Sequence, residues 1–307
     1  MDDFLFSDEA LDEVSDVVQG SWKVIVVDDG SSEPVDPGKL SKASGLESAR
    51  LVLLHNERSK GAGAGRNQAL KRAESRNLLF MDADDLPTRE LGQLATSLKG
   101  KRFDFCLFQH HDTRCDQERR WGQIAWDQAL WRAAKVESGA LSPVGPEAAA
   151  LLARTANYPW NKIYRTDFLR EHAIGCTPIL VHEDVELHWR SFLHAKTILA
   201  SDRVCVVHRV AGEGRLTDRR GPERLEVFPV LARLAAEIGT GPLALPFARF
   251  ATGLCDWIAG NLREDCLPEL ATLSRTFLDR DLPESVRQAL EAEEPELVSR
   301  VRGLVRA

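Results

Sequence analysis

Residues 78–85 read Leu-Leu-Phe-Met-Asp-Ala-Asp-Asp. Four apolar residues followed by three carboxylates in four positions predict a buried strand, Leu78–Met81, that runs into a charged loop. The same punctuation occurs upstream, where Val24-Ile-Val-Val27 runs into Asp28-Asp29-Gly30-Ser31. Leu51–Leu54 is a further apolar run, followed by Gly61-Ala-Gly-Ala-Gly65 and a helix over 66–76. A helix over 88–98 and a strand over 103–109 come next. Strands alternating with helices at this spacing predict an α/β fold, a mostly parallel sheet flanked by helices. Ligands of such sheets sit beyond the carboxyl ends of the strands. Three of those ends carry Asp28-Asp29, the glycine loop and Asp82–Asp85.

Further out, Leu11, Val14, Val17 and Val18 share a helical face over 8–19, and 32–50 reads as a loop or weak helix. Helices are predicted over 121–134, 146–156 and 185–195, and a strand over 204–208. From 222 the chain reads as helices separated by Pro and Gly. The expected organisation is a catalytic α/β domain over 1–221 and a helical C-terminal region over 222–307, to which an acceptor, a partner or a membrane surface could bind.

The 307 residues carry 40 Lys+Arg against 47 Asp+Glu, a net charge of −7, with 43% hydrophobic and 28% charged residues. That is the composition of an ordinary globular protein, and its acidic balance argues against a nucleic-acid partner. Six cysteines without a CxxC pair read as reduced thiols, not a disulfide framework or a zinc site. No secretory signal or transmembrane stretch is read. A cytoplasmic location is expected, with peripheral contact at the inner membrane face left open, as is the oligomeric state.

Carboxylates clustered at a strand end repel one another unless a cation joins them, so Asp82-Ala-Asp84-Asp85 suits a hard divalent ion such as Mg²⁺ or Mn²⁺. The alternative is a solvated loop with Asp85 or Thr88 capping the next helix. Asp28 and Asp29 could accept from a base or a ribose, or could form a plain turn. The glycine run fails the dinucleotide fingerprint, because Arg66 stands where a glycine is required. Arg66 could instead reach phosphate or brace the aspartates. His182-Glu183-Asp184 opens a helix, where a carboxylate could act as a fixed general base or merely cap. Lys162 or Arg209 could neutralise a diphosphate, and Trp160 could stack on a sugar.

In order along the chain, Val-Ile-Val-Val-Asp-Asp-Gly-Ser, Gly-Ala-Gly-Arg-Asn and Leu-Phe-Met-Asp-Ala-Asp-Asp resemble the family 2 glycosyltransferases of the GT-A fold. The later run WNKIYRTDFL…HEDVEL…HRVAGEGRLT is similar to the bacterial polysaccharide-type members. The resemblance implies a nucleotide-diphosphate sugar donor, with UDP favoured, and inverting transfer to a hydroxyl of a saccharide or lipid-linked acceptor. It implies that Asp28 and Asp29 hold the nucleoside, that Gly61 and Arg66 line the donor site, and that Asp82 and Asp84 form the DxD metal motif. It implies Asp184 as the base, paired with Glu183. One departure stands out. The family opens with a strand of the type VSVIIPVYN, and here only Met1–Phe6 precedes the first helix, which is read as a wrong start site, a truncated chain or a remnant strand at Phe4–Phe6. Two other readings are carried: a catalytically silent relative that binds nucleotide or a partner, and a nucleotidyltransferase, which lacks its glycine-rich signature at the first strand end.

Overall fold

The structure, a computed structural model, describes residues 22–39, 50–210 and 218–304. The helix expected at 8–19 and the remnant at 4–6 lie outside the described residues, as do 40–49 of the expected loop. Strands β1 (Val24–Asp28) and β2 (Leu51–His55) pair in parallel, with Val24 opposite Leu51 and Asp28 opposite His55. Helix α1 (Ala62–Arg72) packs on β1. Gly65 faces Val27 there, where an added Cβ would make ordinary contact at 3.6 Å with Val27 Cγ1.

Next in the chain come β3 (Asn77–Leu79), β4 (Leu86–Pro87), α2 (Arg89–Ser97), β5 (Phe105–Asp112) and α3 (Ala125–Ala133). They are followed by β6 (Ser142–Val144), α4 (Pro146–Leu152), β7 (Lys162–Arg165), α5 (Thr166–Glu171), α6 (Val185–His194) and β8 (Ile198–His208). A six-stranded sheet runs β3-β7-β5-β8-β4, with β6 paired to the start of β8. The expected mostly parallel sheet is corrected here to a mixed one. Among the described residues only β1–β2 and β5–β8 are parallel, whereas β3–β7, β5–β7, β4–β8 and β6–β8 are antiparallel. The antiparallel partners are short, four residues in β7 and two in β4, too brief for a hydrophobic pattern to announce them.

Strand β5 shows why the sheet is buried on both faces. Phe105, Cys106, Leu107 and Phe108 are all fully buried. Side chains alternate across a strand, so Phe105 and Leu107 join one apolar cluster and Cys106 and Phe108 the other. The second cluster is closed by Leu91 and Leu94 of α2 together with Leu98. The first is closed by α6 and by the C-terminal helices α7 (Phe228–Ile238), α8 (Ala244–Asn261), α9 (Leu267–Thr276), α10 (Glu284–Glu293) and α11 (Pro295–Gly303). Trp189 of α6 lies 5.0 Å from Phe247 and 5.2 Å from Phe250 of α8, ring centre to ring centre. One apolar cluster therefore runs from Phe105 through Trp189 to Leu290 and Val301, and the helical region shares the core of the α/β part.

Candidate functional site

The loop after β1 is organised by its two aspartates. Asp28 accepts from the Ser31 amide at 3.0 Å, the Val35 amide at 3.1 Å and His55 Nδ1 at 2.9 Å. Burial raises its pKa, but these bonds outweigh it and hold the carboxyl at about 2. Asp29 accepts from Asn56 Nδ2 (2.8 Å), Ser59 Oγ (2.8 Å), the Lys60 amide (2.9 Å) and the Gly61 amide (2.8 Å). Four donors occupy a carboxylate's acceptor sites, which corrects the expectation that Asp29 contacts the nucleoside. It ties the loop 56–61 to β1 and delivers Gly61, with φ +90°, as the start of α1.

The glycine run turns out to be a seat for another loop. A Cβ at Gly63 would lie 2.7 Å from the Thr177 carbonyl and 2.9 Å from Glu183 Cβ. Asn67 then clamps Cys176, donating from Nδ2 to its carbonyl at 2.7 Å and accepting its amide at 2.8 Å. The bare face of α1 thus lets residues 175–184 lie against it. Arg66, on the same helix, forks: Nη1 donates to Glu183 Oε1 at 2.7 Å and Nη2 to Asp82 Oδ1 at 2.6 Å. One guanidinium spans the loop after β3 and the loop before α6, so Asp82 and Glu183, 101 positions apart in sequence by their numbering, face a common site.

Neither carboxylate loop is a helix cap. Thr88 caps α2, accepting the Glu90 amide at 3.2 Å, which leaves Asp82, Asp84 and Asp85 without that duty. Asp84 is exposed. Asp85 is buried; His208 Nδ1 lies 2.8 Å from its Oδ1, which also accepts the Arg209 amide at 3.0 Å, while its Oδ2 has no partner. Burial, offset in part by His208 and reinforced by Asp82 and Asp84, pushes its pKa up to about 6. Among the described residues, no three His, Cys, Asp or Glu side chains gather as a ready-made metal cage.

Asp184 precedes α6, but its side chain makes no capping bond. Burial and the neighbouring Glu183 push its pKa up to about 7. His182, two residues before it, holds φ +66°, a conformation uncommon outside glycine and frequent at functional sites. Lys162 and Trp160 require corrections. Lys162 is fully buried, its amine donates to the Tyr158 carbonyl at 2.9 Å and to Asn161 Oδ1 at 2.5 Å, and burial lowers its pKa to about 7. It does not reach out to a diphosphate. It is a buried amine whose charge is felt by Asp184. Trp160 is 0% exposed, packed against Tyr158, His110 and His208 at ring-centre distances of 4.4, 5.0 and 4.9 Å. It backs the site and offers no face to a sugar. Arg209 is exposed next to Asp85. His208, Asn67 and Asn56 were not singled out in the sequence. Only the place of His208 at a strand end pointed to it, because a hydrogen-bond partner 123 positions away leaves no local pattern.

The chain is an α/β protein with a mixed sheet flanked by helices, the GT-A-type fold that the resemblance implies. Residues 8–158 match the family model described as "Glycosyl transferase family 2". Solved structures similar in fold include Staphylococcus aureus TarS 1-349 in complex with UDP, with a TM-score of 0.71 and 20% identity over 98% of this chain and 86% of that one. Another is the mannosyltransferase PcManGT from Pyrobaculum calidifontis in complex with GDP-Man and Mn²⁺, with a TM-score of 0.51 and 14% identity over 97% of this chain and 80% of that one. A curated relative, the UDP-Glc:alpha-D-GlcNAc-diphosphoundecaprenol beta-1,3-glucosyltransferase WfgD of Escherichia coli, is 39% identical over 66 residues. That alignment spans 22% of this chain and 24% of the relative. No described helix is long and apolar enough to cross a membrane.

Proposed function

We propose that this chain is an inverting glycosyltransferase that takes a sugar from a nucleotide-diphosphate donor, preferably a UDP-sugar, and passes it to a hydroxyl of a saccharide or lipid-linked acceptor in polysaccharide synthesis. The observation that carries the reading is the Arg66 fork, which ties Asp82 to Glu183 and so holds the Asp-rich loop and the Glu-Asp loop on one site. Support for the donor class comes from the TarS structures with UDP and with UDP-GlcNAc.

In this reading Asp184 is the base. Its carboxylate takes the acceptor's hydroxyl proton as that oxygen attacks the anomeric carbon, and the carbon–oxygen bond to the diphosphate breaks from the opposite face with its electron pair. A pKa near 7 suits a group that must hold and release a proton at neutral pH. Glu183 is positioned by Arg66, and Asp28 holds the loop after β1, through Ser31, Val35 and His55, on the nucleoside side. Gly61 shapes the donor side, and Arg209, exposed beside Asp85, neutralises the diphosphate.

The donor set suits a hard cation. Asp84 is exposed, and the orphaned Oδ2 of Asp85 lies in a negative surrounding. Asp84 and Asp82 would hold Mg²⁺ or Mn²⁺, with diphosphate and water completing the shell. Arg66 already claims Asp82 Oδ1, so Asp82 would contribute only its other oxygen. When bound, such an ion supplies Lewis-acid stabilisation of the departing diphosphate.

Thermal shift with UDP-, GDP- and dTDP-sugars, with and without Mn²⁺, tests the donor class. Ligand binding raises apparent stability, so a UDP-sugar with Mn²⁺ is expected to raise Tm most. No shift with any nucleotide sugar would defeat the reading and leave the catalytically silent, partner-binding alternative.

A further inference from the structure

Three tryptophans are exposed: Trp121 (63%), Trp126 (55%) and Trp257 (44%). Trp121 stacks on His111 at 3.9 Å, and Trp126 donates its indole N–H to the Arg154 carbonyl at 3.2 Å. Trp257, on helix α8 of the C-terminal region, meets the loop that carries the base. Its ring centre is 5.8 Å from that of His182, edge to face at 82°. His182 immediately precedes Glu183 and Asp184.

Trp257 is held from a second side. The Arg224 guanidinium carbon lies 4.6 Å from the centre of its ring, and Arg224 Nε donates to the Arg219 carbonyl at 2.5 Å. A cation over an indole holds the ring in place, so little side-chain entropy is left to lose when a ligand lands on it. An indole with nearly half its surface exposed offers an apolar platform of the kind to which the C–H face of a pyranose adheres. Beside it, His182 Nε2 is buried without a hydrogen-bond partner. A buried polar atom without a partner is costly, and a sugar hydroxyl would relieve it. Burial and the Arg224 charge lower the His182 pKa to about 4, so at neutral pH the imidazole is uncharged and suited to a neutral hydroxyl.

We infer that Trp257 and His182 form the acceptor subsite, with the indole carrying the pyranose face and His182 Nε2 bonding a ring hydroxyl one residue from the Glu183-Asp184 pair. This rests on the glycosyltransferase reading and deepens it. It moves the acceptor contact from the buried Trp160 to the C-terminal helical region, and it gives that region a part in selecting the acceptor.

The test reads binding, not turnover. The full chain and its Trp257→Ala, Trp257→Phe, Trp121→Ala and Trp126→Ala variants are titrated with the methyl glycosides of glucose, galactose, GlcNAc and GalNAc, followed by ligand-observed saturation-transfer NMR. UDP with Mn²⁺ is run separately by thermal shift. At least one glycoside is expected to bind the wild type, to weaken about tenfold or more with Trp257→Ala, and to weaken only about threefold with Trp257→Phe. Trp121→Ala and Trp126→Ala are expected to match the wild type. Equal glycoside binding by wild type and Trp257→Ala would overturn the inference, as would failure of all four glycosides to bind the wild type. Loss of the UDP shift in Trp257→Ala would also overturn it, since the residue would then serve the fold or the donor. If UDP fails to shift the wild type while glycoside binding still depends on Trp257, the donor reading falls and the saccharide subsite stands.

Discussion

The ionisation of Asp184 decides whether the proposed chemistry runs. Burial raises its pKa from 3.8 to about 7, so the folded protein prefers the protonated form. In the proposed mechanism the anion is the base, and kcat/KM is therefore expected to rise about tenfold per pH unit below about pH 7 and to level off above it. The stability consequence has the opposite sense. The contribution from this group is complete below about pH 4 and is lost as pH rises through about 7. Asp184→Asn has no such loss and should gain about 2 kcal/mol on the wild type between about pH 5 and about pH 8, some half of the 1.36 kcal/mol per unit ceiling. Urea melts at the two pH values check it, and parallel pH profiles for the two proteins would contradict it. Arg66 offers a second test. Its side chain is 13% exposed and joins carboxylates that are 28% and 13% exposed. Arg66→Ala leaves two partly buried anions unpaired and should cost about 2–3 kcal/mol, below the range for fully buried pairs; Arg66→Lys, which cannot fork, should recover less than half. These residues were unevenly legible in the sequence. Asp82 and Asp84 stood out because carboxylates cluster there directly after an apolar run, and Asp184 because of the Glu-Asp pair in a run that resembles the glycosyltransferases. Trp160 and Lys162 were read as reaching outward because what encloses them, His110 and His208 on Trp160 and the Tyr158 carbonyl and Asn161 on Lys162, leaves no hydrophobic pattern in the sequence.

At the level of elements, the glycine helix is the joint on which the site turns. Gly63→Ala would drive a methyl into the Thr177 carbonyl and Glu183, and backbone on one side cannot swing away. It should cost about 1–3 kcal/mol and lower turnover by displacing the Glu183-Asp184 loop. Gly253→Ala in α8 meets nothing within 4 Å and should be neutral or stabilise by up to about 1 kcal/mol through helix propensity. Differential scanning calorimetry of the pair separates a packing role from a merely conformational one. The strands β1, β2 and β5 were legible as continuous apolar runs, although β2 is only half-buried. The mixed sheet was not. Lys-Ile-Tyr-Arg of β7 carries too few residues to declare a strand, yet its position between β3 and β5 sets the sheet order. In β5 the register shifts around Gln109, a bulge of the kind that re-aims side chains near sites; it falls just before His110 and His111.

Across the whole molecule, the helical C-terminal region and the sheet share one core. Trp189, fully buried between α6 and α8, is where they meet. Trp189→Ala should cost about 3–5 kcal/mol, and both parts are expected to unfold in one transition, followed by far-UV CD and tryptophan fluorescence together. Two separated transitions would show the regions to be independent. The sequence change at 222 was visible as a switch to helical periodicity, but the shared core was not, because apolar faces do not state what they pack against. The proposed function rests on both carboxylate loops acting on one donor, and one measurement addresses that directly. Release of UDP from a UDP-sugar panel, in the presence of Mn²⁺ and saccharide acceptors, is compared for the wild type, Asp84→Ala and Asp184→Asn. The account expects turnover by the wild type and a loss of at least about a hundredfold in each variant, with both still folded by CD. Turnover at wild-type rate in either folded variant would contradict it.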